Sequence, residues 1–210
     1  MNIYEAIAER KKVVKFKKEK VDDKLIGVIL HMANHAHSAG EIQEWNFIVV
    51  KDEEKKKKIY QAALEHPLLK DSPVIIVVCA DLEKASLRFG EKGKIYAIQD
   101  CAAATMLMLV TANALGLGSI WVSSFDEEIV KDILKIPENF KVIALVAVGY
   151  AEFEERKERI PFDNLTWCEE YGKKYEISYL IQPGARKEVE LKPIGNLIED
   201  AFKKLIGKKK

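Results

Sequence analysis

The stretch CAAATMLMLVTANALGLGSIWVSSF, residues 101–125, decides how the rest of the chain is interpreted, because it contains no charged residue. A helix that crosses a bilayer needs about 20 consecutive apolar residues, so length alone would permit a membrane span. However, Thr111 and Asn113 interrupt the stretch, and the glycine-containing segment 116–119 breaks it. We therefore predict a buried helix followed by a buried strand, and no membrane span.

The long helix is predicted over residues 95–115, with Gly116 placed where a left-handed C-terminal cap belongs. It carries more apolar surface than one small domain can bury, so we expect part of it to pack against a second copy of the chain. Strands and helices interleave around it without the regular spacing of a doubly wound sheet, which favours an α+β fold. The predicted strands are 46–50, 74–80, 119–123 and 142–149.

The remaining segments give a second set of expectations. Asp22 or Asp23 is expected to cap a helix that runs to Ala36, and Ser124 with Glu127 is expected to form a capping box. Further helices are predicted near residues 3–7, over 52–64 and over 126–134. Residues 11–20 are interpreted as a basic connector, and residues 81–94 as a loop or a short mobile helix.

Composition and charge exclude several classes of protein. The 210 residues include 34 Lys and Arg against 33 Asp and Glu, a net charge of +1. Such a balance does not indicate nucleic acid or an acidic membrane as the main partner. Cys79, Cys101 and Cys168 are an odd, widely spaced set, typical of reduced thiols rather than a disulfide framework. With no targeting segment visible at residues 1–12, we expect a cytoplasmic protein.

Three of the four histidines lie close together, at positions 31, 35 and 37. His31 and His35 are four residues apart and could share a helix face, with His37 as a third metal ligand and Glu41 nearby. The alternative is that they are polar residues at the end of a helix. A dinucleotide fingerprint beginning at Gly116 is excluded, because Trp121 occupies the position of its third glycine.

Two basic clusters could hold a phosphate if the fold brought them together. One is Arg10 with Lys11 and Lys12, and the other is Lys157 with Arg159. Their alternative interpretation is an ordinary solvated surface.

In order along the chain, four segments resemble motifs of the FMN-dependent nitroreductase family. Residues 7–16 (IAERKKVVKF) are similar to its opening I-x-x-R-R-S-x-R-x-F, and residues 36–47 (AHSAGEIQEWNF) to its A-P-S-x-x-N-x-Q-P-W-x-F. Residues 116–126 (GLGSIWVSSFD) and 148–150 (VGY) match its second half. The resemblance implies a nitroreductase-like fold over residues 1–171, with a central mixed or antiparallel sheet flanked by helices. Residues 172–210 form a C-terminal extension, expected to be an extended arm followed by an amphipathic helix.

The resemblance also implies a homodimer with FMN at the subunit interface. The flavin phosphate would be held by the opening motif and by basic residues near the end of the core. The ribityl chain and ring would contact the second motif, the backbone after the long helix and a loop near His66. The implied cofactor-binding residues are Arg10, Lys11, Lys12, Val14, Ser38, Glu41, Gln43, His66, Trp121, Val122, Ser123, Ser124, Lys157 and Arg159.

Three of these positions differ from the family's motifs. Val14 replaces a basic residue that commonly lies toward the N1–O2 edge of the flavin, so the reduction potential is expected to be lower unless Lys12 or Lys15 compensates. Glu41 replaces a neutral Asn and adds negative charge near the cofactor. Lys12 replaces a Ser and adds positive charge near the phosphate.

The expected function is an oxidoreductase that passes hydride from NADH or NADPH through FMN to an electron-poor small molecule, either a nitroaromatic or a quinone-like acceptor. The flavin carries the chemistry, so no catalytic side chain and no metal are required. Two alternatives stay open: a flavin-binding dimer with little NAD(P)H turnover, and a metal-binding protein built on the three histidines. The C-terminal arm is expected to wrap the partner subunit or cover the flavin cleft.

Overall fold

The structure is a computed structural model that describes residues 2–8, 10–154 and 159–175. The chain divides into two compact units, residues 1–155 and 156–210. The boundary predicted at residues 171 and 172, and the arm and helix expected beyond it, stay predictions, because residues 176–210 lie outside the described part.

The first unit contains seven α-helices and six strands within the described residues. The helices are α1 (Ile3–Ala8), α2 (Asp23–Ala33), α3 (Glu53–Ala62), α4 (Pro67–Lys70), α5 (Leu82–Phe89), α6 (Glu91–Ala114) and α7 (Glu127–Leu134). The strands are β1 (Lys12–Phe16), β2 (Trp45–Val50), β3 (Val74–Asp81), β4 (Gly118–Val122), β5 (Phe140–Gly149) and β6 (Ala151–Glu154).

Four strands form the central sheet in the order β2-β3-β5-β4, and every neighbouring pair is antiparallel. β1 and β6 pair antiparallel in a second, two-stranded sheet. The α+β fold with an antiparallel sheet flanked by helices is therefore confirmed.

The central sheet buries apolar side chains on both faces, because successive residues of β3 and β5 alternate between two separate cores. One core includes Ile76 and Val78 with residues of α2, α5 and α6. The other includes Ile75 and Val77 with residues of α3, α4, α7 and β1. This division decides on which side of the sheet each predicted site residue lies.

Helix α6 contains the long apolar helix predicted from the sequence, and it packs against α2, α5 and the sheet. Gly116 follows it with φ +76°, and the Leu117 N–H donates to the Ala112 carbonyl at 2.8 Å, which confirms the predicted left-handed cap. By length and composition α6 could cross a membrane, but half of its most apolar window is buried inside the protein. These contacts identify α6 as a core helix.

Several local expectations were wrong. Residues 12–16 form strand β1 rather than a connector, since Val13 and Phe16 are buried. Of the two alternatives for residues 81–94, a loop or a short helix, the structure has the helix: α5, followed by the beginning of α6. The cap of α7 is Asp126, whose side chain accepts the Ile129 N–H at 3.1 Å, so Ser124 is not the capping residue.

The second unit is described over residues 159–175. Phe162–Leu165 form a 3-10 turn, Trp167 and Lys174 form an isolated antiparallel bridge, and the ring of Trp167 lies 5.3 Å from that of Tyr171.

Candidate functional site

The opening motif enters the fold through β1. Val13 is buried in the core that also contains Ala63 and Val122, whereas Val14, at the β-bulge of the strand, is half-buried. Arg10 is half-buried, and Lys11 and Lys12 are exposed. The strand thus fixes its backbone through apolar contacts while the cations at its beginning stay accessible.

The segment after the long helix forms β4, an edge strand that is paired with β5. Alternate N–H groups along such a strand point away from its partner. Val122 faces the core, and Trp121, Ser123 and Ser124 are exposed at the end of the strand. This end of β4 can therefore offer backbone hydrogen bonds to a ligand.

The turn around His66 lies next to the end of β4. The Asp126 N–H donates to the Ala62 carbonyl at 2.8 Å and joins the two segments. Leu64 and Glu65 both have positive φ, at 52° and 53°, an uncommon conformation outside glycine. His66 follows them, and its Nδ1 atom is buried without a hydrogen-bond partner in the described part of the chain. A buried, unsatisfied ring nitrogen beside a polar edge fits a site that binds a ligand with hydrogen-bonding groups.

The second motif forms a loop between α2 and β2 on the other face of the sheet. Ser38 is buried and its Oγ accepts the Gln43 N–H at 3.2 Å, while Glu41 and Gln43 are exposed. Trp45 anchors the end of the loop: its side chain is buried and donates to Asn34 Oδ1 at 3.0 Å. We call residues 38–43 the Ser38 loop.

Two carboxyl groups that were not predicted as site residues lie behind the Ser38 loop. Asp100 Oδ2 accepts the Ala39 N–H at 2.7 Å, and Glu44 is buried beside Asp100. Two features of the sequence could have indicated these residues. Glu44 occupies the position at which the family motif has Pro, and Asp100 immediately precedes the uncharged stretch 101–125.

The described residues thus form two groups rather than one. The opening motif and the His66 turn both lie along β4 at one edge of the central sheet: Val13 lies beside Gly118 at the beginning of the strand, and the turn lies beside its end. The Ser38 loop precedes β2 at the other edge. With strands about 4.8 Å apart, β2 and β4 are separated by roughly 14 Å. Within one chain, the Ser38 loop and the β4 edge therefore belong to opposite edges of the central sheet.

The predicted contribution of the second basic cluster stays a prediction. Lys157 lies outside the described residues, and Arg159 belongs to the second unit.

The histidines form a pair rather than a triad. The Nε2 atoms of His31 and His35 are 3.4 Å apart, with the two rings nearly perpendicular. Across residues 2–8, 10–154 and 159–175, no group of three or more His, Cys, Asp or Glu side chains is arranged to hold a metal ion. The three-histidine metal site considered from the sequence is not formed there.

The core cysteines are not reactive groups. Burial raises the pKa of the Cys79 thiol to about 12, and burial likewise raises that of Cys101. Both therefore remain protonated, and a thiol is a poor nucleophile.

The fold defines a class of protein: an α+β protein with an antiparallel central sheet flanked by helices. The sequence model of the Nitroreductase family matches residues 7–69 and 64–150. The chain belongs to the nitroreductase family.

Related proteins agree with this assignment. The chain is 35% identical over 153 residues to an Archaeoglobus fulgidus protein provisionally named NADH dehydrogenase/NAD(P)H nitroreductase, covering 71% of this chain and 85% of the relative. It is 30% identical over 189 residues to the NADH dehydrogenase of Thermus thermophilus, covering 76% and 92%.

Solved structures show the same fold. A nitroreductase family protein from Clostridium novyi superimposes with a TM-score of 0.66 at 30% identity, covering 83% of this chain and 97% of that one. The NADPH:FMN oxidoreductase of Vibrio harveyi superimposes with a TM-score of 0.75 at 20% identity, covering 82% and 79%.

Proposed function

We propose that the protein is a homodimer that binds FMN at the β4 edge of each subunit and passes hydride from NADH or NADPH to an electron-poor small molecule in the cytoplasm. The coarser class follows from family and relatives: the chain is an NAD(P)H-dependent flavin oxidoreductase with FMN as cofactor. The acceptor we propose is a nitroaromatic or a quinone.

The observation that carries the proposal is the convergence of three separate segments at the β4 edge. The opening motif, the His66 turn and the end of β4 share one apolar core, and the hydrogen bond from Asp126 to Ala62 joins the last two. FMN needs cations for its phosphate and hydrogen bonds along its ring edge, and these segments offer both types of group.

Each segment has a separate proposed role. Arg10, Lys11 and Lys12 would bind the phosphate. The backbone of residues 121–124 would hydrogen-bond the ring edge, and His66 would contact the cofactor through its unsatisfied Nδ1. Bound FMN supplies the hydride-accepting and hydride-donating position, so the protein is needed to bind, orient and tune it.

A second copy would complete the site. The Ser38 loop precedes β2, which is the edge strand opposite β4 in the same chain. We therefore propose that the corresponding loop of the other subunit reaches the cofactor. The apolar surface that such pairing would cover is exposed on α1, α2 and α6. It includes Ile3, Ile7, Val28, Met32, Ile95, Ile98 and Met106.

The test is an absorbance spectrum of the purified protein between about 300 and 550 nm, before and after anaerobic addition of NADH or NADPH. Flavin bands that bleach on addition are the expected result. Bands that persist with both nucleotides and bleach only with dithionite would replace the proposal with a flavin-binding dimer of little turnover. A protein that shows no bands even after FMN is added would contradict it.

A further inference from the structure

Two acidic side chains are buried directly behind the Ser38 loop. Glu44 is 1% exposed and Asp100 is 8% exposed, although carboxyl groups are almost never buried to this extent without compensating partners. Glu44 immediately precedes β2, and Asp100 lies in the middle of α6. The two side chains therefore lie between the Ser38 loop and helix α6, which packs on this face of the central sheet.

The two carboxyl groups interact with each other, and one of them holds the loop. Asp100 Oδ2 accepts the Ala39 N–H at 2.7 Å across 61 positions of sequence. Glu44 lies beside Asp100, and its Oε2 atom is buried without a hydrogen-bond partner in the described chain. Two carboxyl groups can hydrogen-bond to each other only if one of them carries a proton.

The surroundings favour keeping that proton on Glu44. Burial is the largest effect and raises the pKa of Glu44, and the neighbouring Asp100 raises it further. The backbone N–H of Glu44 and the charge of Lys84 on α5 act in the opposite direction, but the pKa remains raised. Cys101 of α6 and Cys79 of β3 also lie nearby, and their raised pKa values keep both thiols neutral.

The backbone of the loop needs such support. Gly40, Glu41 and Gln43 all have left-handed φ values, of 58°, 58° and 53°. Non-glycine residues keep this conformation only where surrounding contacts hold it. The contacts here are the Asp100 bond to Ala39, the Ser38 Oγ bond to Gln43, and a bond from Lys84 Nζ to the Gln43 carbonyl at 3.3 Å.

We propose that Glu44 and Asp100 share one proton, and that this pair positions the Ser38 loop for contact with the cofactor. With the proton present, Glu44 donates to Asp100, and Asp100 holds the Ala39 N–H. When the proton is lost, two negative charges face each other in a buried site, which strongly favours their separation. The loop then loosens. The cofactor part of this inference rests on the proposed function, and the shared proton does not.

The direction of the pH dependence follows from the raised pKa of Glu44. Its ordinary value is 4.5, and the folded loop binds the proton more tightly than an opened loop does. The proton-linked stabilisation is therefore complete below that ordinary value and is lost as the pH rises through the raised value in the folded protein.

Amide hydrogen exchange on the full chain tests the shared proton without any need for flavin. Peptides that cover residues 38–43 are compared between pH 5 and 9 after correction for intrinsic exchange. In the wild type we expect protection to fall as the pH rises. Glu44→Gln carries a permanent N–H donor toward Asp100, so its protection should not change with pH. Glu83→Gln, an exposed carboxyl on α5, is the matched control and should behave as the wild type.

Flavin affinity tests the positioning role, with FMN fluorescence as the readout over the same pH range. One linked proton changes an affinity by at most about tenfold per pH unit. Between pH 5 and 9, we expect the dissociation constant of the wild type for FMN to rise by about tenfold or more over that of Glu44→Gln. The FMN phosphate titrates equally with both proteins, so its effect cancels in this comparison. Asp100→Asn keeps an oxygen acceptor for the Ala39 N–H and removes the charge, so it should also lose the pH dependence.

The proposal of a shared proton is overturned if either variant keeps the pH dependence of the wild type. It is also overturned if the protection of the loop in the wild type does not change with pH. An exchange profile as expected in a protein that never binds FMN would support the shared proton and contradict both the cofactor role of the loop and the proposed function. Exchange that responds to pH while FMN affinity does not would overturn the positioning role alone.

Discussion

Val14 is the residue whose side chain is expected to influence the flavin potential most directly. It is half-buried in β1, at the β-bulge between Val13 and Lys15. We predict that Val14→Arg raises the reduction potential, because a cation near the N1–O2 edge stabilises the anionic reduced flavin. A stabilisation of about 1.4 kcal/mol corresponds to about 30 mV for a two-electron couple. A redox titration with a reference dye measures the shift.

Val14→Leu is the control for this prediction, because it changes the shape of the side chain without adding charge. Its potential should match that of the wild type. A Val14→Arg protein with an unchanged potential and normal flavin binding would show that residue 14 does not act on the ring.

Glu127 is predicted to stabilise the fold in a pH-dependent way. Its burial alone would raise its pKa, but hydrogen bonds from Lys141 Nζ at 2.8 Å and the Val142 N–H at 2.9 Å, with the charges of Lys141 and Lys131, lower it. Glu127→Gln should therefore cost about 1–2 kcal/mol in urea unfolding at pH 7. Because the folded pKa is lowered, the stabilisation is present above the ordinary value of 4.5 and is lost as the pH falls through the folded value.

Glu128→Gln provides the comparison. Glu128 also lies near Lys131, at 3.4 Å, but its side chain is 71% exposed. Removing an exposed pair of this kind should change the free energy of unfolding by less than about 1 kcal/mol. Equal costs for the two variants at pH 7 would contradict the role assigned to Glu127.

At the scale of the element, the packing of α5 on α6 depends on Gly93. A Cβ atom at this position would lie 2.3 Å from the Ala85 carbonyl oxygen, so the two helix backbones approach too closely for any side chain. Gly93→Ala should therefore destabilise the protein by about 1–3 kcal/mol, as overpacking does. Gly27 of α2 has nothing within 4 Å of its ideal Cβ position. Gly27→Ala should stabilise by about 0.5–1 kcal/mol because alanine favours helix. Urea unfolding that gives both substitutions the same sign would contradict the α5–α6 packing.

The elements that the sequence predicted well are those with a strong local signal. The apolar run at β3, the cap of α2 at Asp22 and the glycine after α6 each have a physical cause within a few residues. Strand β1 and its partner β6 were missed, because a five-residue strand flanked by lysines acquires its structure from pairing across 135 positions or more. Asp126 was missed as a cap because Ser124 offered an equally plausible local pattern.

The candidate site shows the same limit. Family motifs indicated most of its residues, but spacing along the chain could not show that the Ser38 loop and the β4 edge lie at opposite edges of the sheet. Nor could it identify Glu44 and Asp100 as neighbours, since a contact across 56 residues depends on how α6 packs.

At the scale of the whole molecule, the separation of these two groups links dimer formation to cofactor binding. Ile98 and Met106 lie on α6 and are 39% and 41% exposed in the chain. If a second copy covers them, an aspartate at position 98 places a charge in the apolar interface. We predict that Ile98→Asp shifts the protein from dimer to monomer and lowers the flavin occupancy in parallel. Analytical ultracentrifugation measures the first effect, and the ratio of flavin to protein absorbance measures the second.

Ile129→Asp is the matched control, because Ile129 is 47% exposed on α7, on the other face of the sheet. It should leave both the sedimentation coefficient and the flavin occupancy unchanged. The decisive comparison is between the two readouts of Ile98→Asp. A monomer that keeps its full complement of flavin would mean that one chain suffices to bind FMN, and that the Ser38 loop does not complete the site of a partner. Parallel loss of both would mean that the cofactor is held between subunits, since the substituted residue lies on α6 and belongs to neither group of site residues.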